Sequence, residues 1–353
     1  MDMLQITAVL ISLTAVFSFL NYVFLKLPST IGVMAISMAL SLMLLLLGGL
    51  GFPLLLEQEQ SLLAGIDFST TLLHGMLSFL LFAGALHVDI NRLSEMKWIV
   101  ASLATIGVLI STLLVAVLLW GVSLLLDLPL TFIHCLLFGA LISPTDPVAV
   151  ISTLKTLGVP ASLETKIAGE SLFNDGVGVV LFLVIFNIAY ASEPMQAIDM
   201  AELFVTETLG GALFGLLIGY IAYRMLRQVD NYQVEIIISL ALVMGGYAFA
   251  EAWHLSAPIA IVVAGLLIGN HGRQFAMSDK TREHLDTFWE LVDEILNAVL
   301  FVLLGLEILL IIPISTNTFL LSLLAIPVVL LARFVSVSIP VSVLRGRYQF
   351  SPG

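Results

Sequence analysis

Charge is scarce in this sequence. Only 11% of its 353 residues are Asp, Glu, Lys or Arg, while 60% are hydrophobic and the mean hydropathy is +1.11. A soluble domain cannot cover its surface with so little charge, so the chain reads as a polytopic membrane protein. Basic residues number thirteen, which excludes the electropositive footprint of a nucleic-acid binder; the net charge of −12 reflects that shortage. A single cysteine, Cys135, excludes an internal disulfide and reads as a small hydrophobe in its apolar segment. Histidine is equally thin: His74, His134, His254 and His271 are scattered, and His87 with Asp89 reads as a solvated helix end. With no clustered His or Cys, a zinc or iron site is not expected. The N-terminus lacks both a basic region and a small-residue cleavage site, so its first apolar run reads as a retained helix.

What the sequence has instead is long apolar runs. A spanning helix needs about 20 apolar residues. By that rule eleven segments emerge, near 4–25, 30–50, 69–88, 98–126, 130–154, 162–190, 201–225, 234–252, 256–270, 284–311 and 317–343. The ninth is short, with Pro258 near its start. The basic residues order these segments. Lys26, Arg92, Lys97, Lys155, Lys166, Arg224, Arg227, Arg273, Lys280, Arg282, Arg345 and Arg347 all follow odd-numbered segments. The other loops hold acids such as Glu57, Glu59, Glu193 and Asp199. By the positive-inside rule the N-terminus is outside and the C-terminus cytoplasmic. The fold class is therefore an all-α membrane protein of about eleven transmembrane helices.

The remaining basic residue, Arg333, stands mid-segment in Leu-Leu-Ala-Arg-Phe-Val-Ser. It lies about ten residues, or roughly 15 Å, from its cytoplasmic flank, too far for snorkelling, so a buried ion pair is expected. In the tenth segment Leu285, Phe288, Val292, Ile295 and Val299 recur at helical spacing, with Asp286, Glu290, Asp293 and Glu294 largely off that stripe. Those acids read as first turns projecting into the cytoplasm; a cation-gathering funnel is the sharper alternative.

The chemistry gathers in two phrases, Phe138-Gly-Ala-Leu-Ile-Ser-Pro-Thr-Asp-Pro147 and Gly169-Glu-Ser-Leu-Phe-Asn-Asp175. Pro144 and Pro147 bracket Thr145 and Asp146, which should break the fifth helix over Ser143–Pro147. Broken helix at membrane depth is tolerated where it is buried or lines a cavity, and there its carbonyls and half-helix ends coordinate ions. In the sixth segment Ser171 and Asp175 share a helix face, and Glu170 and Asn174 share a second, about 100° away. Carboxylate, hydroxyl and freed carbonyls make a hard-oxygen site suited to a small cation. An acid at that depth is a functional-site hypothesis, and a carboxylate that holds either a proton or a cation is the simplest basis for exchange.

These two phrases resemble those of the monovalent cation:proton antiporter family, of the sodium/hydrogen exchanger (NhaP-like) type. The similarity extends over the chain in helix order and spacing. It implies an inverted-repeat antiporter fold and a homodimer with a mobile, elevator-like core in the cell membrane. It implies that Asp175 carries the ion and proton, that Ser171 and Thr145 are Na⁺ ligands, with Asn174 and Asp146 in the same site, and that Glu170 pairs with Arg333. The implied partners are a monovalent cation, the proton and the lipid bilayer, with no cofactor beyond the transported ions. Because Asn174, not a second aspartate, precedes Asp175, exchange is expected to be electroneutral.

Two departures accompany the resemblance. Some relatives carry a Glu ligand in a Phe-Glu-Gly-Gly-like phrase of the third helix, where this chain has Phe82-Ala83-Gly84-Ala85. The resemblance also implies two more helices after Ser351-Pro352-Gly353, so residues 1–353 read as one antiporter domain incomplete at its C-terminal end. A non-transporting remnant and a cation channel are the alternatives. A channel filter is not recognisable. An intramembrane hydrolase lacks a base near Ser171.

Overall fold

The computed structural model describes residues 3–49, 76–95, 97–145, 161–190, 197–311 and 315–344. Among them every regular element is a helix. The helices are α1 (Met3–Leu20), α2 (Ser29–Gly49), α3 (Leu77–Leu86), α4 (Lys97–Leu125), α5 (Phe132–Ile142) and α6 (Ala161–Tyr190). They continue as α7 (Ala197–Leu226), α8 (Tyr232–Ala252), α9 (Ala257–Leu267), α10 (Asp279–Ile311) and α11 (Thr316–Leu344). Short turns extend α1 through Asn21–Leu25 and α9 through Ile268–Gly272, and a short helix, Ile90–Glu95, precedes α4. Seven stretches among the described residues are long and apolar enough to cross a membrane; α3 and α5 are shorter apolar helices. Their outer faces are apolar as well. Leu125, Leu213 and Phe334 are 84%, 67% and 74% exposed, which water would penalise and lipid does not.

The chain forms two compact units. The first comprises Met1–Ala83, Asp230–Ile237 and Ser278–Ile314. In it α1, α2 and α10 share a core of Phe17, Val33, Leu44, Val302 and Leu306. The Ser41 hydroxyl donates to the Gly305 carbonyl at 2.9 Å, and a Cβ on Gly305 would collide with Ser37, so small residues bring α2 and α10 together. Trp289 of α10 is fully buried, its ring 4.7 Å from that of Phe82 and 6.1 Å from that of Phe79. The buried face of α10 therefore runs through Leu285, Trp289, Val299, Val302 and Leu306, whereas Ile295 is 51% exposed. The stripe read from the sequence included Ile295. In lipid an outward isoleucine is as comfortable as an inward one, so apolar spacing alone misassigns the face.

The second unit comprises Gly84–Val229, Ile238–Met277 and Ser315–Gly353. Here α4, α5 and α11 meet over Ala116, Leu119, Cys135 and Leu321, and α5 meets α6 over Leu137, Ala140 and Ile185. A Cβ on Gly139 of α5 would strike the Thr112 backbone of α4, so only glycine permits this approach. Asn270 secures the end of α3. Its amide donates to the Val88 carbonyl and accepts from the Ile90 N–H, each at 2.9 Å, which satisfies backbone groups where the helix stops.

Candidate functional site

The site grows from the end of α5. That helix stops at Ile142, and Ser143, Pro144 and Thr145 follow without helical structure. Pro144 cannot donate a backbone hydrogen bond and restricts the residue before it, so the helix ends where the sequence reading put the break. Asp146 and Pro147 lie outside the described residues, so what is observed is the end of the helix and the non-helical Ser143 to Thr145. Hydroxyls gather at this end, where the Gly139 carbonyl also accepts the Ser143 N–H at 3.1 Å. The Ser143 hydroxyl lies 2.6 Å from the Gly139 carbonyl and 2.9 Å from the Ser111 hydroxyl, and the Thr112 hydroxyl reaches Ser143 Oγ at 3.4 Å. All three hydroxyl residues are at most 2% exposed.

Two elements converge on Thr145. From α6, Asn174 holds it twice: Asn174 Nδ2 donates to Thr145 Oγ1 at 3.1 Å, and the Thr145 N–H donates to Asn174 Oδ1 at 3.4 Å. Asn174 is completely buried. From α11, Arg333 Nη2 donates to the same Thr145 hydroxyl at 3.1 Å, and Nη1 donates to the Ser143 carbonyl at 3.3 Å. Arg333 Nη2 also forms a charge-assisted hydrogen bond with Glu170 Oε1 of α6. The two side chains of this ion pair are 22% and 15% exposed. One guanidinium thus ties α11 to both the broken end of α5 and the middle of α6, using the forked geometry that lysine lacks.

A hydroxyl oxygen has two acceptor lone pairs. Asn174 and Arg333 occupy both on Thr145, so a cation reaches that oxygen only after one of them lets go. Ser171, one turn before Asp175 on α6, is 2% exposed, and Asp175 is half-buried. Gly178 follows on α6, where a Cβ would collide with the Pro144 ring; its absence lets α6 lie directly against the break. Among the described residues, Glu170, Asn174, Thr145, Pro144 and Arg333 are thus brought together. Ser171 and Asp175 lie on the adjoining face of α6, and among the described residues no group of three or more His, Cys, Asp or Glu could hold a metal ion.

Sequence reasoning passed over Ser111, Thr112 and Ser143 as contributors. The available signal was the consecutive Ser-Thr in an otherwise apolar Val108-Leu-Ile-Ser-Thr-Leu-Leu114.

Comparison with known proteins adds a family. The family model described as sodium/hydrogen exchanger, transmembrane, matches residues 8–351. The chain is 52% identical over 308 residues to the Na(+)/H(+) antiporter NhaP of Pseudomonas aeruginosa, covering 87% of this chain and 73% of that protein. It is 37% identical over 275 residues to the Na(+)/H(+) antiporter NhaH of Halobacillus dabanensis, covering 77% and 67%. In fold it is similar to the sodium proton antiporter MjNhaP1 of Methanocaldococcus jannaschii at pH 8, with a TM-score of 0.76 and 20% identity, covering 99% of this chain and 81% of that one.

Proposed function

Because the chain belongs to the sodium/hydrogen exchanger family, we propose that it is a secondary active antiporter that exchanges Na⁺, or another monovalent cation, for H⁺. It is a transporter and not an enzyme. The observation that carries this reading is the division of labour on α6. Glu170 is paired with Arg333, and Asn174 contributes an uncharged amide. That leaves Asp175, one turn beyond the buried Ser171, to take either a proton or a cation. Arg333 and Asn174 meanwhile keep the end of α5 rigid beside it. Ser171 and the opened carbonyls of the break, with Asp146, supply the remaining oxygen ligands. Thr145 joins them when its hydroxyl is released.

In this mechanism binding of Na⁺ displaces the proton from Asp175, and binding of a proton displaces Na⁺. Each transport step then carries one positive charge in either direction, the exchange is electroneutral, and no cofactor takes part. The protein works in the cell membrane with its N-terminus outside and its C-terminus in the cytoplasm, as a homodimer, and so couples the sodium gradient to cytoplasmic pH. Competition has a direct test. In proteoliposomes, acidification should raise the Na⁺ concentration for half-maximal exchange in proportion to the proton concentration. A half-maximal concentration that does not change with pH would sink the shared-site reading.

A further inference from the structure

A second acidic site lies in the other unit, where α8 begins beside the start of α10. Glu235, in the first turn of α8, is completely buried, and neither of its carboxylate oxygens has a hydrogen-bond partner. A buried charge left in that condition costs several kcal/mol, so it persists only with a counter-charge in place. The Asn231 backbone and the Thr281 hydroxyl act on its charge without hydrogen-bond geometry, and Asp230 repels it.

The surroundings are rich in oxygen. Asp230 is exposed at the loop before α8 and accepts from the Ser278 hydroxyl at 2.9 Å and from the Thr281 hydroxyl at 3.4 Å. Thr281 itself is only 3% exposed. An exposed carboxylate, two hydroxyls and a fully buried carboxylate thus lead inward from the surface. The cationic side chains nearby on α10 are committed elsewhere or solvated. Arg282 pairs with Asp279 at 3.2 Å, the His284 ring stacks on Tyr232 with centroids 4.4 Å apart, and Lys280 is exposed. Glu283, also exposed, adds negative charge to the same turn.

We propose that Glu235 is the base of a second cation site, entered past Asp230, Ser278 and Thr281, that takes a single positive charge: a proton or an alkali cation. One buried carboxylate calls for one charge. A calcium-type site would need more carboxylate ligands than converge here, since no group of three His, Cys, Asp or Glu that could hold a metal ion occurs among the described residues. The site is separate from Asp175 and does not depend on its role. Occupancy fastens the first turn of α8 to the first turn of α10, so cation binding there is read out as stability.

The test uses the purified full chain with Asp175→Asn, which silences the proposed exchange site, compared with the same protein also carrying Glu235→Gln. Thermal unfolding is followed against NaCl at fixed pH, with choline chloride as the ionic-strength control, and against pH without sodium. The melting temperature of the Asp175→Asn protein should rise with Na⁺ or with falling pH, and Glu235→Gln should remove that dependence. A response to Na⁺ over choline identifies an alkali cation; a response to pH alone identifies a proton. Identical Na⁺ and pH responses in the two proteins overturn the proposal. If Glu235→Gln does not yield folded protein, Asp230→Asn, an exposed change, carries the test. It should raise the half-saturating concentration several-fold, and an unchanged midpoint contradicts the site.

Discussion

At the scale of single residues, the Arg333–Glu170 ion pair ties α11 to α6. Both Glu170 and Asp175 sit on α6, yet only Glu170 has the guanidinium on its carboxylate. Arg333 also donates to Thr145 and to the Ser143 carbonyl, so removing it takes a donor from three acceptors at once, of which Thr145 keeps Asn174. Arg333→Ala is therefore expected to lower unfolding stability by about 3 kcal/mol, the lower end for a broken buried pair because both side chains retain some exposure. Glu170→Gln combined with Arg333→Met should recover part of that loss. A double-mutant cycle read by thermal unfolding in detergent checks it, and losses that simply add would mean that the two residues do not interact. That Arg333 needs a partner was legible in the sequence, because an arginine ten residues from its flank must find one; that the partner is Glu170 came from the family resemblance. The hydroxyl cluster was not legible. A serine or threonine in a membrane helix can satisfy itself on its own preceding turn, as Thr14 does on the Leu10 carbonyl and Thr105 on the Ala101 carbonyl. Ser111 and Thr112 look the same in sequence and instead face the broken end of α5. Glu235 reads in sequence as an ordinary acid in the first turn of a helix, where the macrodipole favours it; its burial becomes visible only once α10 is packed beside it.

At the scale of elements, hydropathy and the alternation of basic loops located the helices, since lipid demands long apolar runs and every backbone group must be satisfied within them. The end of α5 was equally legible from Pro144. Which face of a helix turns inward was not, as Ile295 on α10 illustrates: where the outside is as apolar as the inside, the amphipathic stripe that orients a soluble helix disappears. Close approach supplies the missing orientation, and glycine carries it. Gly139 sets α5 against α4 at the level where Thr112 meets Ser143. Gly139→Ala places a methyl group against the Thr112 backbone, which cannot swing aside as a flexible side chain would. It should cost about 1–3 kcal/mol and lower the melting temperature, and exchange should fall with it because Ser143 shifts. An alanine variant as stable as the wild type would show that the two helices do not meet so closely.

At the scale of the whole molecule, the second unit carries the full candidate site, built from α4, α5, α6 and α11. If Asp175 alone carries either one proton or one Na⁺, as proposed, the transport cycle moves no net charge. The membrane potential is worth about 2.3 kcal/mol per charge per 100 mV and should therefore not drive it. Imposing a potassium diffusion potential with valinomycin on proteoliposomes should leave the exchange rate unchanged; a steep dependence on voltage would require a second moving charge. The central claim is that Asp175 is the carrier, and one comparison tests it most directly. Sodium-driven proton movement is measured in proteoliposomes containing either the wild-type protein or Asp175→Asn, with matched incorporation and with thermal unfolding to establish that the variant is folded. The account predicts exchange by the wild type and none by Asp175→Asn. Near-normal exchange by the variant would contradict it.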